Sequence, residues 1–242
     1  AQIAYSRGEY EAAIAGFTAV SDYSEAADMI RLCNYDWAAK KAQDGDYDGA
    51  IALYEALDDY KDSAQKISEV RTMKAQALAS TGALDDLQSA AVIYAELGDE
   101  ANLAATQYQQ AALLLENQKY TEAREIFAAL GTYEDAATQL KACDYAIALQ
   151  KKEDGQLDEA AALLESISGY SDADEQLKIV RYAQGEKAVA DSLPLAAAQF
   201  FTQAGDYSDA ADRAAAQYAA RHAKRRVTYF ISYSIRVDCG PR

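Results

Sequence analysis

The sequence predicts an all-α chain: an α-solenoid of about six helix-turn-helix repeats of about 37 residues, with a short atypical C-terminal tail. Three observations predict it. The 242 residues include only two prolines and twelve glycines, while half of the composition is hydrophobic, so helices with a buried face are favoured over a compact β fold. A pattern G-x-Y-x-x-A-x-x-x-F returns along the chain, and polar, acid-rich turns separate the apolar stretches.

The first helix of each repeat follows from that pattern. Its anchors are Tyr10, Tyr47, Leu87, Tyr120, Leu157 and Pro194, spaced by 37, 40, 33, 37 and 37 residues. Three residues later stand Ala13, Ala50, Ala90, Ala123, Ala160 and Ala197; seven later stand Phe17, Tyr54, Tyr94, Phe127, Leu164 and Phe201. Ten later the chain is apolar again, at Val20, Leu57, Leu97, Leu130, Ile167 and Ala204. Offsets of 3, 7 and 10 share one helix face, where the alanine admits a close neighbour and the aromatic fills the space beside it.

The second helix is introduced by turns such as DDYKDSA and SGYSDAD. Asp22, Asp59, Asp99, Thr132, Gly169 and Asp206 read as N-caps, with Glu25, Asp62, Asn102, Asp135, Asp172 and Asp209 three residues on as capping-box partners. Tyr35, Tyr108, Tyr145 and Tyr182 follow within the helix, each trailed three residues later by a small residue, Ala38, Ala111, Ala148 or Gly185.

Ala38, Gly45, Tyr47, Ala50 and Tyr54 together resemble the tetratricopeptide repeat, and the resemblance extends over residues 1–220. The period is longer than the family's usual ~34 residues. No proline closes each repeat, and a Tyr-x-Asp turn takes its place, a variant similar to repeat arrays attached to other domains in bacterial proteins. The resemblance implies a concave face with Tyr35, Tyr108, Tyr145 and Tyr182 near it, where rigid aromatic surface anchors a partner. Relatives that clamp a terminal carboxylate use lysine and asparagine there; tyrosine and acidic groups stand here instead.

Residues 221–242 form a basic tail, and within it VTYFISYSIRV, residues 227–237, alternates apolar and polar in the manner of a strand. The chain starts on Ala1 without the apolar core of a secretion signal, so it reads as an excised piece, and the cytoplasm is slightly favoured as its location.

Charge narrows the partners. Net charge is −16, and residues 1–220 carry 17 basic against 38 acidic residues, a balance that disfavours nucleic acid and anionic membrane surfaces and favours neutral or basic proteins and peptides. Three cysteines without CxxC spacing argue against a disulfide framework or zinc ribbon; Cys33 and Cys143 occupy the same repeat position as Val70 and Val180 and read as buried spacers, and Cys239 lies in the tail. His222 has no serine, cysteine or second ligand at a useful spacing, and no nucleophile, base and acid can be assembled, so no enzyme and no cofactor is expected.

One stretch suggests otherwise. DGDYDGAIALYE has a calcium loop's spacing, with Asp44, Asp46, Asp48 and Glu55 as ligands and Gly49 at the turn. Aligned with RGEYEAAIAGFT and DGQLDEAAALLE, it becomes a helix start, with Gly49 opposite Ala12 and Glu159. The expected function is a non-catalytic protein-interaction scaffold that binds a peptide or protein segment on the concave face. A structural spacer, or a calcium-responsive module using residues 44–55, is the alternative.

Overall fold

The structure is a computed structural model and describes residues 1–223. Among the described residues every regular element is helical, and within each of two compact units each helix packs on the next in sequence. The two units are Ala1–Asn117 and Gln118–Arg242.

The first unit holds α1 (Gln2–Ser6), α2 (Tyr10–Thr18), α3 (Ser24–Gln43), α4 (Tyr47–Glu55), α5 (Ser63–Thr81), α6 (Leu84–Leu97) and α7 (Glu100–Glu116), each packed on the next. In the second unit α8 (Tyr120–Leu130), α9 (Ala136–Glu153), α10 (Leu157–Ser166), α11 (Ala173–Ala190) and α12 (Pro194–Ala204) pack in the same order. Residues 210–223 are helical too, so helix continues past the tail boundary expected at 220. The strand-like segment 227–237 and Cys239 lie outside the described residues.

The repeat pattern is a burial pattern. All six alanines three residues after the anchors are fully buried, and the six side chains seven residues after them are buried as well. Ala38, Ala111, Ala148 and Gly185 are buried at the corresponding point of the second helices. Cys33 and Cys143 are buried free thiols in the positions of Val70 and Val180, and burial pushes the Cys143 thiol up to about 11. Val20 departs from the pattern: α2 ends at Thr18, and Val20 is exposed.

The turns explain the uneven spacing. Two residues before the first helix of each repeat the backbone is left-handed, at Gly8, Gly45, Gly82, Gln118, Gly155 and Ser192. Glycine suits that conformation, whereas Gln118 and Ser192 adopt it against the Cβ penalty. Gly82 places the third start at Leu84, in step with the 37-residue period, yet the buried stripe runs through Leu87, Ala90 and Tyr94. The 14-residue α6 therefore carries about one extra turn before its packing face begins, and the sequence anchor sits a turn late.

The caps of the second helices also differ from expectation. Asp99 caps α7 as expected, accepting the Asn102 N–H at 3.2 Å. At α5, α9 and α11 the N-cap is instead Asp62, Asp135 or Asp172, the residue expected three positions inside the helix. Asp209 precedes the helix at 210 in the same way, and α3 starts after Tyr23 rather than Asp22. The Tyr-x-Asp turn causes the displacement. Its middle residue, Lys61, Glu134, Ser171 or Ser208, is left-handed, so the helix cannot begin before the aspartate.

Candidate functional site

The side chain of the second-helix tyrosine reaches forward to the next repeat. Tyr35 of α3 donates its hydroxyl to Asp62, the N-cap of α5, at 2.5 Å. Tyr145 of α9 donates to Asp172, the N-cap of α11, and Tyr182 of α11 donates to Asp209 at 2.5 Å. Each bond spans 27 residues. Tyr5 makes a related bond to Asp36.

Asp62 and Asp172 accept from a phenol rather than from their own helix N–H groups. Hydrogen bonding to the charged form favours it, so the tyrosine bond holds both carboxyls below the usual range. The same bond disfavours the phenolate, and Tyr145 is pushed up to about 12, with desolvation adding to the effect. Tyr35 and Tyr182 move in the same direction for the same first cause.

The rings are also enclosed. Tyr35 meets Tyr54 and Tyr60 edge to face with centroids 5.4 and 6.0 Å apart, and Tyr182 meets Phe201 and Tyr207 at 5.3 and 5.4 Å. Tyr145 lies 6.1 Å from Tyr170. Such pairs add stability beyond the area they bury. Tyr35, Tyr108, Tyr145 and Tyr182 are all half-buried. The structure gives the hydroxyls of Tyr35, Tyr145 and Tyr182 an internal task that pattern reading did not find. The recurring Tyr-to-Asp interval was a signal for it in the sequence.

The calcium reading fares differently. Tyr47–Glu55 is helix, so Asp48 and Glu55 sit on α4, and the structure does not gather the four carboxylates. Asp44 pairs with Lys40, Asp46 with Lys41 at 2.5 Å, Asp48 with Lys74 at 2.5 Å, and Glu55 lies 4.0 Å from Arg71. Among the described residues no group of three or more acidic, cysteine or histidine side chains could hold a metal ion.

Gly49 has another use. Asp46 caps α4 by accepting the Gly49 N–H at 3.0 Å, and a Cβ at Gly49 would fall 2.5 Å from the Asp46 carboxylate. At α2 and α10 the caps are Glu9 and Gln156, neither makes this bond, and Ala12 and Glu159 fit opposite. The glycine accommodates a cap.

A cleft of about 300 Å³ opens in the second unit between α10, α11 and α12. Leu157, Leu193, Ala196 and Phe200 form its apolar part, and Asp158, Glu159, Asp191 and Lys187 its charged part. Asp158 accepts from Gln184, which is buried and itself accepts from Arg181 at 2.9 Å. Glu159 pairs with Lys151 at 2.6 Å. The cleft is thus an apolar hollow with an acidic edge, and none of Tyr35, Tyr108, Tyr145 and Tyr182 lines it. Its residues come from three helices, which is why no single sequence window shows it. Among the described residues no helix is long and apolar enough to cross a membrane.

No family model and no curated protein matches the chain. Among solved structures it is similar to BtubC (BKLC) from P. vanneervenii, with 15% identity over 90% of this chain and 92% of that one and a TM-score of 0.24. A likeness that distant carries no argument here.

Proposed function

We propose that the chain is a non-catalytic interaction scaffold of tetratricopeptide-like repeats, stacked as an α-solenoid, that takes a peptide or protein segment on its concave face. What supports an interaction role is the cleft between α10, α11 and α12, a site apart from the four tyrosines, where Leu157, Leu193 and Phe200 offer apolar surface beside Asp158, Glu159 and Asp191. Concave, mostly apolar hollows with a few placed polar groups are where ligands bind. An acidic edge selects a neutral or cationic segment, consistent with a net charge of −16.

Selection of a random displayed peptide library on the purified chain tests it. Sequences joining an apolar residue to lysine or arginine should be enriched, and Leu193→Glu with Asp191→Lys should abolish the enrichment with unchanged helicity. Leu193 is 54% exposed, so its replacement leaves the core alone. Enrichment that persists in the double variant sinks the site.

A second reading, a structural spacer between other domains, is favoured by the internal use of the tyrosine hydroxyls. It predicts that no sequence is enriched.

A further inference from the structure

At least three repeats build the same aromatic corner, and two of these fill it with a cation of their own. In one, Tyr35 and Tyr60 stand 6.0 Å apart at 72° with Asp62 bonded to the Tyr35 hydroxyl. The Lys61 ammonium sits 4.4 Å from the Tyr35 centroid and 5.3 Å from that of Tyr60. In another, Tyr182 and Tyr207 stand 5.4 Å apart at 70° with Asp209 bonded to the Tyr182 hydroxyl. The Arg213 guanidinium lies 5.3 Å from the Tyr182 centroid, donates to its hydroxyl at 2.8 Å and also reaches Glu186 at 2.8 Å.

The third corner has the same parts. Tyr145 and Tyr170 stand 6.1 Å apart at 60°, and Asp172 accepts from Tyr145. Cations reach the other corners from two positions, the residue before the aspartate (Lys61) and the residue four after it (Arg213). Those positions here are Ser171 and Gln176. Gln176 donates to Asp172 at 3.0 Å and accepts from Lys152 at 2.7 Å, so the Lys152 ammonium is held on the amide. Among the described residues no cation lies over either ring of this corner. The floor differs as well: Leu164 takes the place of Tyr54 and Phe201, leaving two rings rather than three.

We propose that Tyr145, Tyr170 and Asp172 form a receptor for one lysine side chain of a bound partner, a role that rests on the chain being an interaction scaffold. The ring faces attract an ammonium through their quadrupoles, and the carboxylate adds a full opposite charge. The chain demonstrates the fit itself, because Lys61 occupies the equivalent corner. Ser171 has φ 50° and Lys61 φ 52°, so the same backbone carries either residue.

The test uses the full chain with isotope-labelled tyrosine rings and reads each ring by nuclear magnetic resonance. The probe is N-acetyl-lysine methylamide, and the control is the norleucine derivative, which has the same chain without the charge. Tyr145 and Tyr170 should respond about two- to fivefold more strongly to lysine than to norleucine. Tyr35 and Tyr60, already occupied, should stay still. Ser171→Lys should abolish the response at Tyr145, and Lys61→Ser should create one at Tyr35 and Tyr60.

Equal responses to lysine and norleucine, or a Tyr145 response that survives Ser171→Lys, overturn the proposal. So does a Lys61→Ser chain whose opened corner ignores lysine. The parent reading fails separately: responsive rings in a chain that enriches no library peptide leave the cation site standing and remove the scaffold, whereas silent rings with strong enrichment remove only the receptor.

Discussion

Replacing Gly185 with alanine should destabilise the second unit even though alanine is the better helix former. Gly185 is buried within α11, and a Cβ there would fall 2.6 Å from Cε1, 2.7 Å from Cδ1 and 2.9 Å from Cζ of Phe201. Ordinary carbon contacts lie near 3.5–4.0 Å, so the ring must retreat by roughly 1 Å. Phe201 has little freedom to do so. It is fully buried, Tyr182 meets it edge on at 5.3 Å, and Arg213 lies 5.0 Å from its centroid.

Forcing a methyl into such a core costs about 1–3 kcal/mol, and the alanine recovers about 0.8–1.0 kcal/mol of helix propensity. The net expectation is a loss of roughly 1 kcal/mol, read from urea unfolding followed by circular dichroism. The sign should reverse when room is made. In a Phe201→Leu background Gly185→Ala should stabilise by about 0.5–1 kcal/mol, giving a coupling of about 1–2 kcal/mol across the cycle. A stabilising Gly185→Ala in the parent chain, or coupling near zero, would refute the reasoning.

The remaining expectations concern the turns, the hydroxyl bonds and the metal alternative. Glu134 is held at φ 45°, so Glu134→Gly should relieve left-handed strain and stabilise by about 0.5–1 kcal/mol in the same urea assay; a loss would show the turn to be unstrained. The Tyr145 phenol is raised from 10.0 to about 12 on folding. Its contribution is present below pH 10 and lost as pH rises through about 12, so Tyr145→Phe should flatten that alkaline loss. Asp172 is lowered, so its share is present above the ordinary carboxyl range and lost as pH falls through its folded value; the same variant should flatten the acid limb, and unchanged limbs in the pH titration would count against the bond. Calcium added to chelator-stripped protein should neither shift Tm nor give a titration heat. One-to-one binding removed by Asp44→Ala would restore the calcium reading of residues 44–55.

Much of this architecture was legible in the sequence because burial on a helix face imposes a period. The alanines at 13, 50, 90, 123, 160 and 197 and the larger side chains four residues beyond them are buried where that spacing puts them. The capping positions were less legible. In DDYKD both acidic ends suit an N-cap, and what chooses between them is the left-handed Lys61, a backbone property that no cap preference encodes. The third repeat misled for a related reason: its turn follows the period at Gly82, while its packing face follows Ala90. Alignment alone made Gly49 a helix residue, whereas the reason a glycine stands there became visible only with the Asp46 bond. The tyrosines were harder still, since a pattern marks a ring as partly buried without showing whether its hydroxyl faces a partner or the next turn.

The tyrosine-to-aspartate bond also determines where such a chain can be cut or copied. Each bond leaves one second helix and ends on the cap of the next, as from Tyr35 on α3 to Asp62 on α5. A fragment excised at the helix pair, beginning at Tyr47, would carry Asp62 without its donor and Tyr54 without the ring that packs on it. The segment that keeps one such bond whole is three helices, α3, α4 and α5, whose ends overlap the segments before and after. Duplication or transplantation of this sequence should therefore succeed with breakpoints upstream of the donor tyrosine and fail at the glycine turns, where the repeat looks most divisible.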